Sequence, residues 1–160
     1  MARLNQEGLP IELLIVGEGD RRYERRLREL VAELDLQDRV RFLGQLDSAA
    51  PVIRAADAVL TCSRHEAFGR VTVEAMLAGK PVVGARSGGT AELIRDGHNG
   101  FLYEPGDVDQ LAGVLRRLIE SPEGSRRIGA AARTCAGEQF TEKRFGDEIL
   151  ACLAPLVESS

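Results

Sequence analysis

The apolar residues of this chain fall into short runs separated by glycine-containing turns. Ile11-Glu12-Leu13-Leu14-Ile15-Val16 stops at Gly17, and a brief β-branched run of this kind reads as a strand buried on both faces of a parallel sheet. After Gly17-Glu18-Gly19-Asp20 the period changes. Tyr23, Leu27, Leu30, Val31 and Leu34 recur at i, i+4, i+7, i+8 and i+11, with Arg21, Arg22, Arg25, Arg26 and Arg28 opposite, the pattern of an amphipathic helix. A second strand is expected at residues 39–43, closed by Gly44, then a short helix over 48–56 and a third strand over 58–62. A helix over 70–78, a short strand at 81–84, a one- to two-turn helix at 90–95 and a fifth strand at 100–103 follow. Beyond Asp107 the strands stop. Val108, Leu111, Val114, Leu115, Leu118 and Ile119 mark a helix ending before Pro122, and further helices are expected at 123–138 and 141–157. This alternation predicts an α/β fold: a Rossmann-like parallel sheet with helices on both faces, capped by the C-terminal helices.

Composition narrows the picture. With 160 residues, 44% hydrophobic and 29% charged, the chain reads as one globular domain over 1–160, with no repeat or linker to suggest a second. Lys and Arg number 21 against 25 Asp and Glu, and Trp is absent, which argues against nucleic acid as a partner. Cys62, Cys135 and Cys152 show no metal-clip spacing and read as reduced thiols of a cytoplasmic protein. No run reaches the length of a spanning helix. The opening MARLNQEGLP lacks the apolar core of a signal peptide, so export is not expected.

Candidate chemistry sits in three turns that each follow a strand, where an open α/β sheet binds ligands. Gly17-Glu-Gly-Asp20 resembles the start of a dinucleotide fingerprint without its third glycine; a plain tight turn reads equally well. The second turn lies in Ser63-Arg-His-Glu66-Ala-Phe-Gly69-Arg-Val-Thr-Val-Glu74-Ala-Met-Leu-Ala-Gly79-Lys-Pro81. Gly69 lets the backbone enter a helix whose first amides, around Arg70, Val71 and Thr72, lack acceptors and suit an anion such as a diphosphate. Glu66 and Glu74 then read either as acceptors for sugar and ribose hydroxyls or as a solvated loop residue and an acidic helix residue. Ser87-Gly88-Gly89-Thr90 permits close backbone approach to a ligand, or simply a tight turn. Cys62 is expected to be a small core residue, and at least one of Phe101 and Tyr103 to pack in the core. Lys80 reads as a phosphate contact or, more simply, a surface turn.

The run from Leu13 to Tyr103 resembles the C-terminal, donor-binding domain of retaining GT-B glycosyltransferases of family 4, the glycosyl transferases group 1. The likeness rests on two glutamates separated by seven residues in an E-x-F-G…E-A-M-A-G-x-P-V-V context, matched from Glu66 to Val83 with Leu77 in place of a small residue. Val16–Asp20, Asp38–Leu46, Ala55–Ser63 and Ser87–Asp107 fit the flanking pattern. The resemblance implies that Glu66 is the catalytic-site carboxylate holding the donor sugar. It places Ala67, Phe68 and Gly69 against the sugar, and the Val71 and Thr72 amides against the diphosphate. Glu74 would bind the ribose, and the base would lie near Gly17, Gly19, Arg41 and Phe42. The partner it implies is a UDP-, GDP- or ADP-linked sugar whose hexosyl group is transferred with retention, with neither metal nor other cofactor, because cations and helix amides neutralise the leaving diphosphate.

The pattern also implies what this chain lacks: an N-terminal acceptor domain and a first strand–helix unit carrying the cations that clamp the diphosphate. Ala2–Glu7 would be the tail of that helix. The absent strand would lie between those at 11–16 and 58–62, giving an incomplete enzyme, inactive alone and open to homo-oligomerisation through its sheet. Arg21 and Arg22 are replacement cations or a solvated helix face; the full-length enzyme would be cytoplasmic or peripheral at the inner membrane face. A non-catalytic nucleotide-sugar-binding module is the alternative reading. A GT-B sugar-nucleotide epimerase, with His65 as its acid/base residue, is a weaker one.

Overall fold

The computed structural model describes residues 1–64, 66–141, 144, 147, 149 and 150. In order these form α1 (Ala2–Gln6), β1 (Leu13–Val16), α2 (Arg21–Glu33), β2 (Val40–Gly44), α3 (Ala50–Ala55), β3 (Val59–Thr61), α4 (Arg70–Leu77), β4 (Val82–Ala85), α5 (Gly88–Leu93), β5 (Phe101–Tyr103), α6 (Val108–Glu120) and α7 (Pro122–Gln139). Local chemistry sets the helix starts. The Asp20 carboxylate accepts from the Arg22 and Tyr23 amides at 2.8 and 3.0 Å, and Asp107 from Gln110 at 2.8 Å, while Pro122 opens α7 where a missing N–H costs nothing. The helix expected at 141–157 falls largely outside the described residues.

All strand pairs are parallel, and the sheet is in two pieces: β1-β2, and β3-β4-β5 with β4 central. Register in the larger piece aligns Leu60 with Val83 and Phe101, and Thr61 with Gly84 and Leu102. Side chains therefore alternate between two cores. Val83, Phe101 and Tyr103 pack with Leu4 of α1 and Leu115 of α6. Val82 and Leu102 pack with Ile53, Met76 and Ala132 on the other face. Phe101 and Tyr103 are both buried, as expected of at least one of them.

Between the two pieces lies a slot of about 1080 Å³, walled by β1 on one side and β3 on the other. Leu115, Leu118 and Ile119 of α6 line it, as do Val52 and Ile53 of α3. The Leu13 amide donates to Arg39 at 2.8 Å and the Val59 amide to Pro81 at 2.9 Å. In a parallel ladder alternate residues turn their polar groups to opposite edges. Leu14 and Val16 of β1, and Leu60 and Cys62 at β3, thus direct their backbone groups into the slot.

The amphipathic helix expected after Asp20 is present, but among the described residues its apolar stripe is only partly covered: none of its residues is fully buried, and Tyr23 is 65% exposed. A two-stranded sheet is too narrow to bury a full helix face. Cys62 is exposed rather than a core residue, because it stands where β3 ends beside the slot. Tyr103 is in register with the small Ala85, and burial first, with the neighbouring Cys62 thiol second, raises the Tyr103 hydroxyl above the ordinary tyrosine range.

Candidate functional site

The β3–α4 junction carries the most functional geometry. The chain leaves β3, passes Ser63 and Arg64, and presents Glu66, Ala67 and Phe68 before Gly69 turns it into α4. Gly69 is the N-cap of α4, at φ +89 and ψ +45, a left-handed conformation that favours glycine. A Cβ there would also sit 2.9 Å from Leu93 Cδ1. The Gly69 amide donates to Glu66 Oε1 at 3.2 Å, and its carbonyl accepts from Val73 at 3.1 Å. Glu66 is half-buried, its carboxylate held at the positive end of α4. The amides of Arg70, Val71 and Thr72 precede the first intrahelical donor, Val73, so they point out of the helix end without intrahelical acceptors. Thr72 is fully buried, and its hydroxyl and that of Thr61 lack hydrogen-bond partners among the described residues.

Glu74 lies one turn into α4, exposed, 3.6 Å from the guanidinium of Arg70. An exposed i, i+4 pair of this kind contributes little stability, which leaves the Glu74 carboxylate available. The Phe68 ring is 53% exposed and meets Phe140 edge-on at 6.0 Å. Val71 is exposed beside it. Lys80 follows the opposite end of α4, near Gly79 and Pro81 on the slot; of its two readings, the surface turn is the one that position fits.

Gly17 and Gly19 lie in the turn that follows β1, and Arg41 and Phe42 on its partner strand β2. Gly17 donates to Gly44 at 2.8 Å, and Ile15 is in register with Phe42. Asp20 already occupies the N-terminus of α2 with its own carboxylate, so this turn is a capped strand-to-helix connection. The guanidinium of Arg28 lies over the Phe42 ring, 4.2 Å from its centre. Arg21, Arg22 and Arg41 are exposed. Glu66, Ala67, Phe68, Gly69, Val71, Thr72 and Glu74 thus share one loop and helix; the other four stand on the second sheet piece, with the slot between. His65 lies outside the described residues.

The sequence shows the third turn but not its neighbour. Ser87 Oγ donates to the Ser63 carbonyl at 2.8 Å, and the Gly89 amide to the Glu66 carbonyl at 2.9 Å. The close approach that Gly88 and Gly89 permit is therefore to the Glu66 loop. Phe140, which braces Phe68, carries no local signal at all.

A parallel α/β sheet with helices on both faces, its glycine-capped α4 opening beside the Glu66 loop, has the GT-B type of fold. The chain belongs to the family "Glycosyl transferases group 1", whose pattern it matches over residues 1–134. It is 38% identical over 134 residues to N-acetyl-alpha-D-glucosaminyl L-malate synthase of Bacillus anthracis, an alignment covering 84% of this chain and 35% of the relative. It is 31% identical to the lipopolysaccharide core biosynthesis glycosyltransferase LpsE of Rhizobium meliloti, covering 90% of this chain and 42% of that one. Among solved structures, Anabaena Alr3699/HepE in complex with UDP superposes with a TM-score of 0.86 at 36% identity, covering 91% of this chain and 41% of that one. The same protein has been solved with UDP-glucose. The chain thus spans about two-fifths of the proteins it matches.

Proposed function

We propose that this chain binds the nucleotide-sugar donor of a retaining glycosyltransferase that moves a hexosyl group to an acceptor. The observation that carries the reading is the mouth of α4: three amides without intrahelical acceptors, with the Glu66 carboxylate held beside them by Gly69. Diphosphate oxygens accept from the Val71 and Thr72 amides, in the field of the helix N-terminus. Glu66, oriented by the Gly69 amide, accepts from sugar hydroxyls alongside Ala67 and Phe68. Glu74 accepts from the ribose diol, and the base lies toward Gly17, Gly19, Arg41 and Phe42. Retention proceeds through an oxocarbenium-like transition state, with helix amides and protein cations rather than a metal balancing the leaving diphosphate. UDP and UDP-glucose in the HepE complexes support a nucleotide-sugar ligand.

The slot supports a second element of the proposal. The whole enzyme supplies a strand between β1 and β3 from its first strand–helix unit, and an acceptor domain beyond it, so the isolated chain is catalytically inactive. A thermal-shift titration against UDP, GDP, ADP and their sugar conjugates tests donor binding. One nucleotide is expected to raise the melting temperature with concentration, and Glu74→Ala to abolish the rise. Stabilisation by none of them, with or without a supplied first unit, would overturn the donor-binding reading.

A further inference from the structure

The loop that carries Glu66 is short of its own supports, and what holds it comes from a turn more than twenty residues away. Ser63, at the loop's entry, gives its carbonyl to the Ser87 hydroxyl at 2.8 Å. Glu66, at its middle, gives its carbonyl to the Gly89 amide at 2.9 Å. These two bonds fix the loop's backbone at both places before Gly69 bonds the Glu66 carboxylate at 3.2 Å. The approach is one that only glycine allows. A Cβ on Gly88 would overlap the Glu66 carbonyl oxygen, and one on Gly89 the Phe68 carbonyl oxygen. Gly88 also has φ +46, a region that residues with side chains rarely adopt. The turn itself has little freedom, because Ser87 stands two residues past the buried strand β4 with its amide bonded to the Ala85 carbonyl at 2.7 Å, and Gly89 and Thr90 are buried in α5.

We infer that Ser87, Gly88 and Gly89 are positioning residues that act as a buckle: they set the height of the Glu66 carboxylate over the mouth of α4, and so govern sugar recognition without touching the nucleotide. This rests on the donor-binding reading above. The glycine pair thus serves the site through the loop, and its close backbone approach is to protein. Glu74 and the α4 amides are attached to the helix, not to the loop, so nucleotide and sugar recognition separate in space.

The test uses this chain and two readouts. Amide hydrogen exchange followed by NMR needs no ligand. Ser87→Ala is expected to speed exchange of the Gly69 and Gly89 amides while leaving the β4 and α6 amides as they are, and Ser87→Thr, which keeps the hydroxyl, to restore wild-type protection. Gly89→Ala is expected to do the same more severely; should it fail to fold, the serine pair decides alone. Exchange at Gly69 and Gly89 unchanged in Ser87→Ala would overturn the inference. The second readout is the affinity for UDP-glucose relative to UDP. In Ser87→Ala this preference is expected to fall about tenfold, the scale of one hydrogen bond to a charged group, with UDP affinity unchanged. Equal loss of both ligands would overturn the separation of sugar from nucleotide. A wild-type chain that shows no preference for the sugar conjugate counts instead against Glu66 as the sugar contact, and the exchange result still judges the buckle.

Discussion

Tyr103 shows how one residue carries a packing constraint into chemistry. Its side chain shares a core with Ala85, and Cys62, on the edge of the slot, acts on its hydroxyl. Burial favours the neutral phenol, so its ionisation is displaced upward. In the unfolded chain the proton leaves near pH 10, the ordinary tyrosine value, whereas the folded chain still holds it. Between those points the folded state binds more protons than the unfolded one. The contribution to stability is therefore full below about pH 10 and declines as pH rises past it. Urea denaturation at pH 8 to 11 is expected to show this decline, and Tyr103→Phe to remove its tyrosine component. A wild-type and Tyr103→Phe pair with identical pH dependence would show that the phenol is not displaced. Cys62 itself was misjudged from sequence, because a thiol at the end of an apolar run looks buried until one sees that its neighbour on one side is open.

The two sheet pieces differ in how much they bury. From β1 through β2 only Leu36 and Val40 are buried, whereas β4 and β5 lie wholly in the cores with α6 and α7 packed on them. Local opening follows burial. Native-state exchange is expected to find the amides of β1, α2 and β2 opening at a lower free energy than those of β4, β5 and α6. Equal protection in the two sets would mean the pieces unfold as one. The strands were legible in the sequence to within two residues at each end, since short apolar runs bounded by glycine or proline have few other solutions. So was the turn at Gly69, because a glutamate, a glycine and then a helical period imply a capped helix entry. The division of the sheet left no local trace in the residues of β1 or β3, which read as buried strands. Nor did the partial cover of the α2 stripe, since amphipathicity reports which face seeks cover and not how much cover exists. The buckle at Ser87–Gly89 was visible only as a glycine pair, because its partner is distant along the chain.

At the scale of the molecule, the slot leaves two strand edges without partners among the described residues, an arrangement that invites further strands. The isolated chain is expected to self-associate as its concentration rises, measured by light scattering after size-exclusion chromatography, and Leu14→Lys to suppress association by placing a charge in the slot. A wild-type monomer at every concentration would remove the homo-oligomer. The slot's position has one more consequence. Its open end is bordered by Val16 and Cys62, the residues that lead straight into the Gly17 turn and the Glu66 loop. A strand seated there would stiffen the starting points of both halves of the donor cleft. Under the proposed donor binding, strand docking and nucleotide binding become thermodynamically reciprocal: whatever factor the strand adds to nucleotide affinity, the nucleotide must return to strand affinity.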